Sequence, residues 1–345
     1  MTKSKIEWTD EVWNPVTGCT KVSQGCKHCY AERIWPRFYG KQEVCVPTPE
    51  ADCIPHEYIR PKDVTGHWTC KRKFTDVQCH PERLEHPLRW KRPRMVFVNS
   101  MSDLFHEDVS FDFIERVFDV MADSPSHTFQ VLTKRPDRML DFITHFDRER
   151  VWPVSFPLPN VWLGVSVEDQ ATADERIPLL LQTPAAVRWI SAEPLLGGID
   201  LTLDGLAYSE CSRCAEGEYY EYDTGANGCP HCYGTGTSDE LGLDWVVVGG
   251  ESGPRARPMH PDWARLLRDQ CEAAGVPFFF KQWGEWFPVS SGHHGRIGAW
   301  SGGKFYENGA DIVNVNNNMV RAGKKSFGYS LLDGVEHKAW PEIQA

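Results

Sequence analysis

The sequence predicts an α/β fold centred on a sheet of about six or seven parallel strands, and three observations carry that prediction. Short apolar runs rich in β-branched and aromatic residues recur along the chain. Segments of helical periodicity separate several of them, the alternation expected of βα units. Each run also turns polar where it ends, as strands do when they deliver side chains to the carboxyl edge of a parallel sheet.

A first strand is expected within EVWNPVTGC, from Glu11. RMVFVNSMSD, from Arg94, reads as the next, followed by the amphipathic helix FDFIERVFDVMADSP from Phe111. TFQVLTKRP from Thr128 and VWLGVSVED from Val161 continue the sheet, and ATADERIPLLLQT from Ala171 has helical periodicity. Then come VRWISAEPLL from Val187 and DWVVVGGESG from Asp244. The helix PDWARLLRDQCEAAG has Pro261 in its first turn and glycine at its end, which suits helix start and stop chemistry. PFFFKQWGEW, from Pro277, closes the series. After Trp286 the chain is rich in Gly and Asn and reads as loops and short strands.

The polar strand ends are Asn99, Ser100, Ser102 and Asp103; Thr133, Lys134 and Arg135; Ser166, Glu168 and Asp169; Ser191 and Glu193; Gly249, Gly250 and Glu251; Lys281 and Gln282. Any single strand becomes polar as it enters a loop, but six in succession point to one shared mouth. Ser100, Asp103, Lys134, Glu168, Glu193 and Lys281 are the candidates there for binding cofactor or substrate.

At 345 residues, a single domain with insertions accommodates this pattern. Residues 1–286 are expected to form it, with insertions at about 41–94 and 204–241 and an extension over 287–345. Lys and Arg number 37 against 48 Asp and Glu, and the net charge of -11 argues against a protein that coats nucleic acid through its whole field. The span 57–94 is locally basic, and with Trp68, Phe74 and Trp90 interleaved it is a candidate nucleic-acid contact, set against the plainer reading of a solvated basic loop. The N-terminus lacks a signal-peptide pattern and nothing approaches a membrane span, so a soluble cytoplasmic protein is expected.

In a reducing compartment, twelve cysteines read as metal ligands, catalytic thiols or buried residues before disulfides. Cys211 and Cys214 with Cys229 and Cys232 form two C-x-x-C knuckles that can place four thiolates tetrahedrally, the pattern of a zinc ribbon. Cys19, Cys26 and Cys29 are different, with the spacing C-x6-C-x2-C and Tyr30 next in sequence. Three thiolates either bind zinc with His28 or a distant cysteine, or hold three irons of a 4Fe–4S cluster and leave the fourth open. Cys45, Cys53, Cys70 and Cys79, with His56, His67 and His80 among them, have irregular gaps and give only a weak metal signal. Cys271, within a helix pattern, reads as a small buried hydrophobe.

IEWTDEVWNPVTGCTKVSQGCKHCYAER, FVNSMSDLFHEDV, FQVLTKRPDRM, VWLGVSVEDQ, RWISAEPLL, VVVGGESG and FFFKQWGEW, in this order, resemble the phage and bacterial three-cysteine-motif family of unknown function, a radical-SAM-like group. The resemblance runs from about Lys5 to Trp286 and extends weakly through RAGKKSFGYSLLDG. It implies a radical-SAM-like partial (β/α) barrel, with a 4Fe–4S cluster on Cys19, Cys26 and Cys29, S-adenosyl-L-methionine (SAM) on the open iron and Tyr30 against the adenine. The usual gap between the first two cysteines is three residues, and here it is six. Gly249, Gly250 and Glu251 resemble the motif that holds the methionyl amine in such enzymes, although that motif ordinarily follows the second strand. A turn, or a carboxylate that orients substrate, is the other reading.

Three functions therefore stand. The first is a radical SAM enzyme, served by an electron donor, whose substrate is a nucleic-acid base in one version. The second is a zinc-stabilised nucleic-acid or protein binding module. The third is an iron-free hydrolytic or transferase barrel using the strand-end carboxylates.

Overall fold

A computed structural model of the chain describes residues 6–38, 72–149, 157–201, 242–288 and 329–341, with the short stretches 43–45, 58–59, 68–70, 296–301, 304–307 and 318–321. Its centre is a curled half-barrel of seven parallel strands, each hydrogen-bonded to its neighbour in chain order. They are β1 (Glu11–Trp13), β2 (Met95–Val98), β3 (Thr128–Thr133), β4 (Val161–Ser166), β5 (Val187–Ala192), β6 (Trp245–Gly249) and β7 (Phe278–Gln282). Pro15 helps keep β1 short: it has no N–H for a ladder, and beyond it Val16–Thr17 turns away to pair antiparallel with Gln78–Cys79.

Among the described residues five helices accompany the sheet: α1 (Tyr30–Phe38), α2 (Phe111–Ala122), α3 (Pro136–Glu149), α4 (Gln170–Leu181) and α5 (Pro261–Ala274). Three match the expected segments. The others, α1 and α3, follow the cysteine loop and β3 directly, and α3 buries Met139, Phe142 and Ile143 at helical spacing. Caps fix the ends. The Ser110 side chain accepts from Phe113 N, Asp169 and Thr172 form a reciprocal capping box, and Gly275 closes α5 at φ 69°.

Alternation along the strands separates two layers. Val96, Val98, Phe129, Val131, Leu163, Ile190, Val246 and Phe280 face the helices and merge with Val117, Phe118, Phe142, Ile177 and Leu267 into the main core. The intervening residues line the inside of the half-barrel, where Trp8, Trp162, Trp189, Trp245, Val247 and Phe279 form a second cluster. Trp245 is its hub, with ring centroids 5.4 Å from Trp189, 5.8 Å from Trp162 and 6.2 Å from Trp8. Gly164 makes room for Trp189, since a Cβ there would lie 2.5 Å from the Trp189 ring.

The last described segment, 329–341, runs back beside β7. Phe280 N donates to His337 O, Ala339 N donates to Phe278 O, and Trp340 stacks on Trp245 at 4.9 Å. The strap thereby covers part of an edge strand that would otherwise present unpaired backbone groups. A small antiparallel sheet made of Trp286–Pro288, Asn318–Arg321, Arg296–Ser301 and Lys304–Glu307 lies between. This agrees with short strands in place of another βα unit. Among the described residues no helix is long and apolar enough to cross a membrane.

Truncating the hub tests this layer. Trp245→Ala removes a buried indole that touches five aromatic rings and donates to Ala339 O at 2.9 Å. It is expected to cost about 3–5 kcal/mol, read as a lowered urea midpoint. Trp340→Ala removes an exposed partner and should cost far less.

Candidate functional site

The inside positions that carry tryptophan low in the half-barrel carry charge at its carboxyl edge. Counting in twos, Leu132 is followed by Lys134 and Phe279 by Lys281, while Glu193 lies four residues beyond Trp189 and Glu168 six beyond Trp162, all near the strand ends where the sequence reading placed them. The structure pairs these groups. Glu193 takes both oxygens to Lys281 Nζ, at 2.9 and 2.8 Å, and accepts from Gln282 at 3.3 Å. Glu168 is fully buried and receives Lys134 Nζ, Arg176 of α4 at 3.3 Å and Ser23 Oγ at 2.9 Å. Asp103 accepts from Thr133 Oγ1 at 2.7 Å, Lys134 N at 3.0 Å and Arg135 at 3.2 Å.

The cysteine loop lies across this edge and is held from below at four places. Ser23 sits on Glu168. Gly25 abuts the same carboxylate so closely that a Cβ would come within 2.3 Å of Oε1. His28 Nδ1 meets Glu251 Oε2 at 3.1 Å. Arg257, itself fastened to Glu251, donates to Gln24 O at 2.9 Å.

Around Cys19 the backbone is tightly determined. Gly18 has φ 93°, and a Cβ there would lie 2.5 Å from Asp76 O, so only glycine suits the turn. Gly18 N donates to Met101 O and Cys19 N to Phe74 O. The flanking threonines are each held by a buried histidine and an arginine: Thr17 by His80 at 2.7 Å and Arg72 at 3.1 Å, Thr20 by His106 at 2.8 Å and Arg135 at 2.9 Å. Asn99 ends β2 in the left-handed region at φ 62°, and its side-chain oxygen accepts from Val16 N.

Cys19, Cys26 and Cys29 are free thiols, all half-buried. Burial pushes the Cys19 thiol up to about 12; the Asp103 charge adds to this and Arg135 opposes it. Burial raises Cys29 too, opposed by the backbone N–H groups of Glu32 and Ala31 at the start of α1. The charge of Cys26 raises both, so it couples to each of its neighbours in the loop. Among the described residues no three His, Cys, Asp or Glu side chains could hold a single metal ion.

Other expected site residues divide. Tyr30 stands 57% exposed beside Cys29, with Arg33 5.8 Å from its ring centroid. Ser100 lies apart from the charged ring, donating to Asn14 Oδ1 at 3.3 Å. Glu251 is occupied by the protein: Arg257 N, Nε and Nη2 and His28 all bond its carboxylate, and the arginine and histidine hold it below the usual carboxylate range against the effect of burial. Gly249 packs against Glu193, and a Cβ on Gly250 would lie 1.8 Å from Trp283 O, so both glycines serve close approach. Cys211, Cys214, Cys229 and Cys232, expected to form a zinc ribbon, lie outside the described residues, as do Cys53, His56, His67 and the side chains of Cys45 and Cys70. Cys79 is half-buried beside Val16, and Cys271 is buried in α5.

The described part of the basic span divides: Lys73, Arg89, Lys91 and Arg92 are exposed, whereas three arginines are half-buried against the fold. Arg72 bonds Thr17 and Asp76 and lies 5.0 Å from the Trp35 ring centroid, Arg83 reaches Asn14 O, and Arg94 pairs with Glu11. A residue that sequence reasoning passes over is Tyr329. Its phenol donates to Gln282 Oε1 from the C-terminal strap, and burial, with Glu193, Glu285 and Glu7 adding, pushes it up to about 12. Its signal lay in a tail block whose pairing with β7 is invisible before folding.

The two histidines give a pH prediction. Burial lowers both His80 and His106. Arg83 and Arg72 add to this at His80 against Glu82, and Arg135 adds at His106 against Glu107, Asp108 and Asp103. The folded state therefore favours neutral imidazole. That stability is present above the unfolded value of about 6.5 and is lost as pH falls through it toward the lower folded values. The melting temperature should drop between about pH 7 and pH 5, and His106→Asn should reduce that slope.

No curated protein and no solved structure gives a significant match to the chain. A model of the family described as "Protein of unknown function (DUF5131)" matches residues 3–341, nearly the whole sequence, and the chain belongs to that family.

Proposed function

We propose that this protein is an iron–sulfur enzyme of the radical SAM type, acting on a substrate bound at the mouth of the half-barrel. The observation that carries the reading is the seat of the cysteine loop: three free thiols belong to one loop fastened over the charged carboxyl edge of seven parallel strands.

The donor set fits such a cluster. Thiolates are soft ligands suited to iron, and three of them leave one iron open. Groups that favour thiolate are already in place, the Arg135 guanidinium at Cys19 and the start of α1 at Cys29. A 4Fe–4S cluster with SAM on its open iron supplies one-electron cleavage of SAM to methionine and a 5'-deoxyadenosyl radical.

The chain's own residues would do the rest. Cys19, Cys26 and Cys29 would ligate, and Tyr30 would lie against the adenine. Glu193, Lys281, Gln282 and Tyr329, joined in one chain of hydrogen bonds, would orient the substrate. The indole layer beneath them keeps water out from below. Glu251, engaged by Arg257 and His28, would hold the loop in place of an amine. An electron donor is required. A nucleic-acid base is one substrate class, with Lys73, Lys91 and Arg92 among the cations of the basic span that would approach it. The knuckle cysteines Cys211, Cys214, Cys229 and Cys232 would bind zinc apart from this centre.

Iron, sulfide and zinc analysis of protein purified without oxygen tests the reading. About four irons per chain with matching sulfide supports it. Zinc alone, lost when Cys19, Cys26 and Cys29 are replaced, makes the loop structural and the protein a binding module.

A further inference from the structure

Cys19 is the outlying ligand of the loop, six residues from Cys26, whereas Cys26 and Cys29 share one short turn. Nothing in the local sequence brings its sulfur to the other two. The structure supplies an anchor from the turn between β3 and α3, in Arg135. The guanidinium is buried and held from three sides. Nη1 bonds Asp103 Oδ2 at 3.2 Å, Nε bonds Glu107 Oε1 at 3.1 Å, and Nη2 bonds Thr20 Oγ1 at 2.9 Å and Thr20 O at 3.4 Å. Nη1 also donates to Cys19 Sγ at 3.8 Å. Asp103 is fixed in turn by Thr133 Oγ1 and by the backbone N–H groups of Lys134 and Phe105.

The three sulfurs are thus unequally served. Cys26 has a hydroxyl, Ser23 Oγ at 3.8 Å, and Cys29 has backbone N–H groups, while Cys19 faces a full positive charge in a fixed orientation. Hydrogen bonds and charge at ligating sulfur raise the reduction potential of an iron–sulfur centre, and outer groups that orient ligands govern metal retention.

We infer that Arg135 is a positioning residue for Cys19: its guanidinium sets the sulfur at the third ligand position across the long gap and raises the potential of the centre that the three cysteines hold. The inference rests on the cluster reading of the preceding section. A lysine could supply charge but not the planar fork that joins Asp103, Glu107, Thr20 and sulfur at once.

The test compares Arg135→Lys and Arg135→Gln with the parent, all purified without oxygen. Arg138→Gln serves as the control, because Arg138 bonds the carbonyls of His106 and Val109 nearby and does not touch sulfur. The readouts are iron per chain, the rate of iron loss to a chelator, and the midpoint potential of the assembled centre by titration. Both Arg135 variants should lose iron about 10- to 100-fold faster, with Arg135→Gln at a more negative potential. Arg138→Gln should melt lower and keep the parent's potential. Potentials and iron loss equal to the parent's in both Arg135 variants would overturn the assignment and leave the cluster reading standing. Should Arg135→Gln fail to fold, Arg135→Lys, which keeps the charge, still reads out iron loss. A parent without iron overturns the cluster reading, and this inference with it.

Discussion

Cys26→Ala is expected to give a folded protein that holds little or no iron and cleaves no SAM. The structural cost is small because Cys26 belongs to a short turn, Gln24–Cys26, none of whose residues is buried, and its sulfur meets one hydroxyl at 3.8 Å. Replacing it leaves no cavity in either core, so stability should change by about 0.5 kcal/mol or less. The chemical cost is large because Cys26 sits electrostatically between the other two thiols, and two thiolates do not replace three around one centre. The measurement pairs metal and sulfide analysis with a thermal melt and a SAM-cleavage assay. SAM cleavage retained in this variant would sink the assignment, since the ligand would then be dispensable. Loss of zinc with no iron in the parent would move the loop to a structural role.

The fold was legible because its strands are short apolar runs with a polar residue at the end of each. Met95–Val98 ending in Asn99, Thr128–Thr133 followed by Lys134, and Val161–Ser166 followed by Glu168 all follow that local rule. The helix α3 follows the same logic, with Pro136 at its start and Met139, Phe142 and Ile143 on one side, so its signal was present in the pattern. Local rules stop at the question of which charges meet. Ser23 reaches Glu168 across 145 positions and His28 reaches Glu251 across 223. Such contacts depend on how far the sheet curls and on where a loop crosses it, and no spacing in the sequence encodes either. The Gly249–Glu251 stretch shows the same limit. A glycine pair before a carboxylate is consistent with an amine site, and the geometry instead gives that carboxylate to Arg257 and His28. Likewise, the arginines of a basic span look outward in composition, whereas Arg72 and Arg94 are turned to Thr17 and Glu11.

The largest stability effect at the site is expected from Glu168→Gln. The side chain of Glu168 is 0% exposed and that of Arg176 2%, while Lys134 is 20% exposed. Removing one partner of a buried pair leaves the other charge without compensation, at a cost of about 3–5 kcal/mol. The burden falls on Arg176, which faces Ser166 O and Glu168 and has no route to water, whereas Lys134 can swing outward. Lys134→Met should therefore cost much less, because Glu168 keeps Arg176 and Ser23. The two variants measured by urea denaturation decide whether burial or simple pairing sets the energy: equal losses would refute the burial argument. A double-mutant cycle of Glu168→Gln with Ser23→Ala then asks whether the carboxylate holds the loop. A coupling of about 0.5 kcal/mol or more is expected for groups in direct contact, and additivity would mean that the cysteine loop keeps its place without Glu168. The buried pair would then belong to the sheet alone.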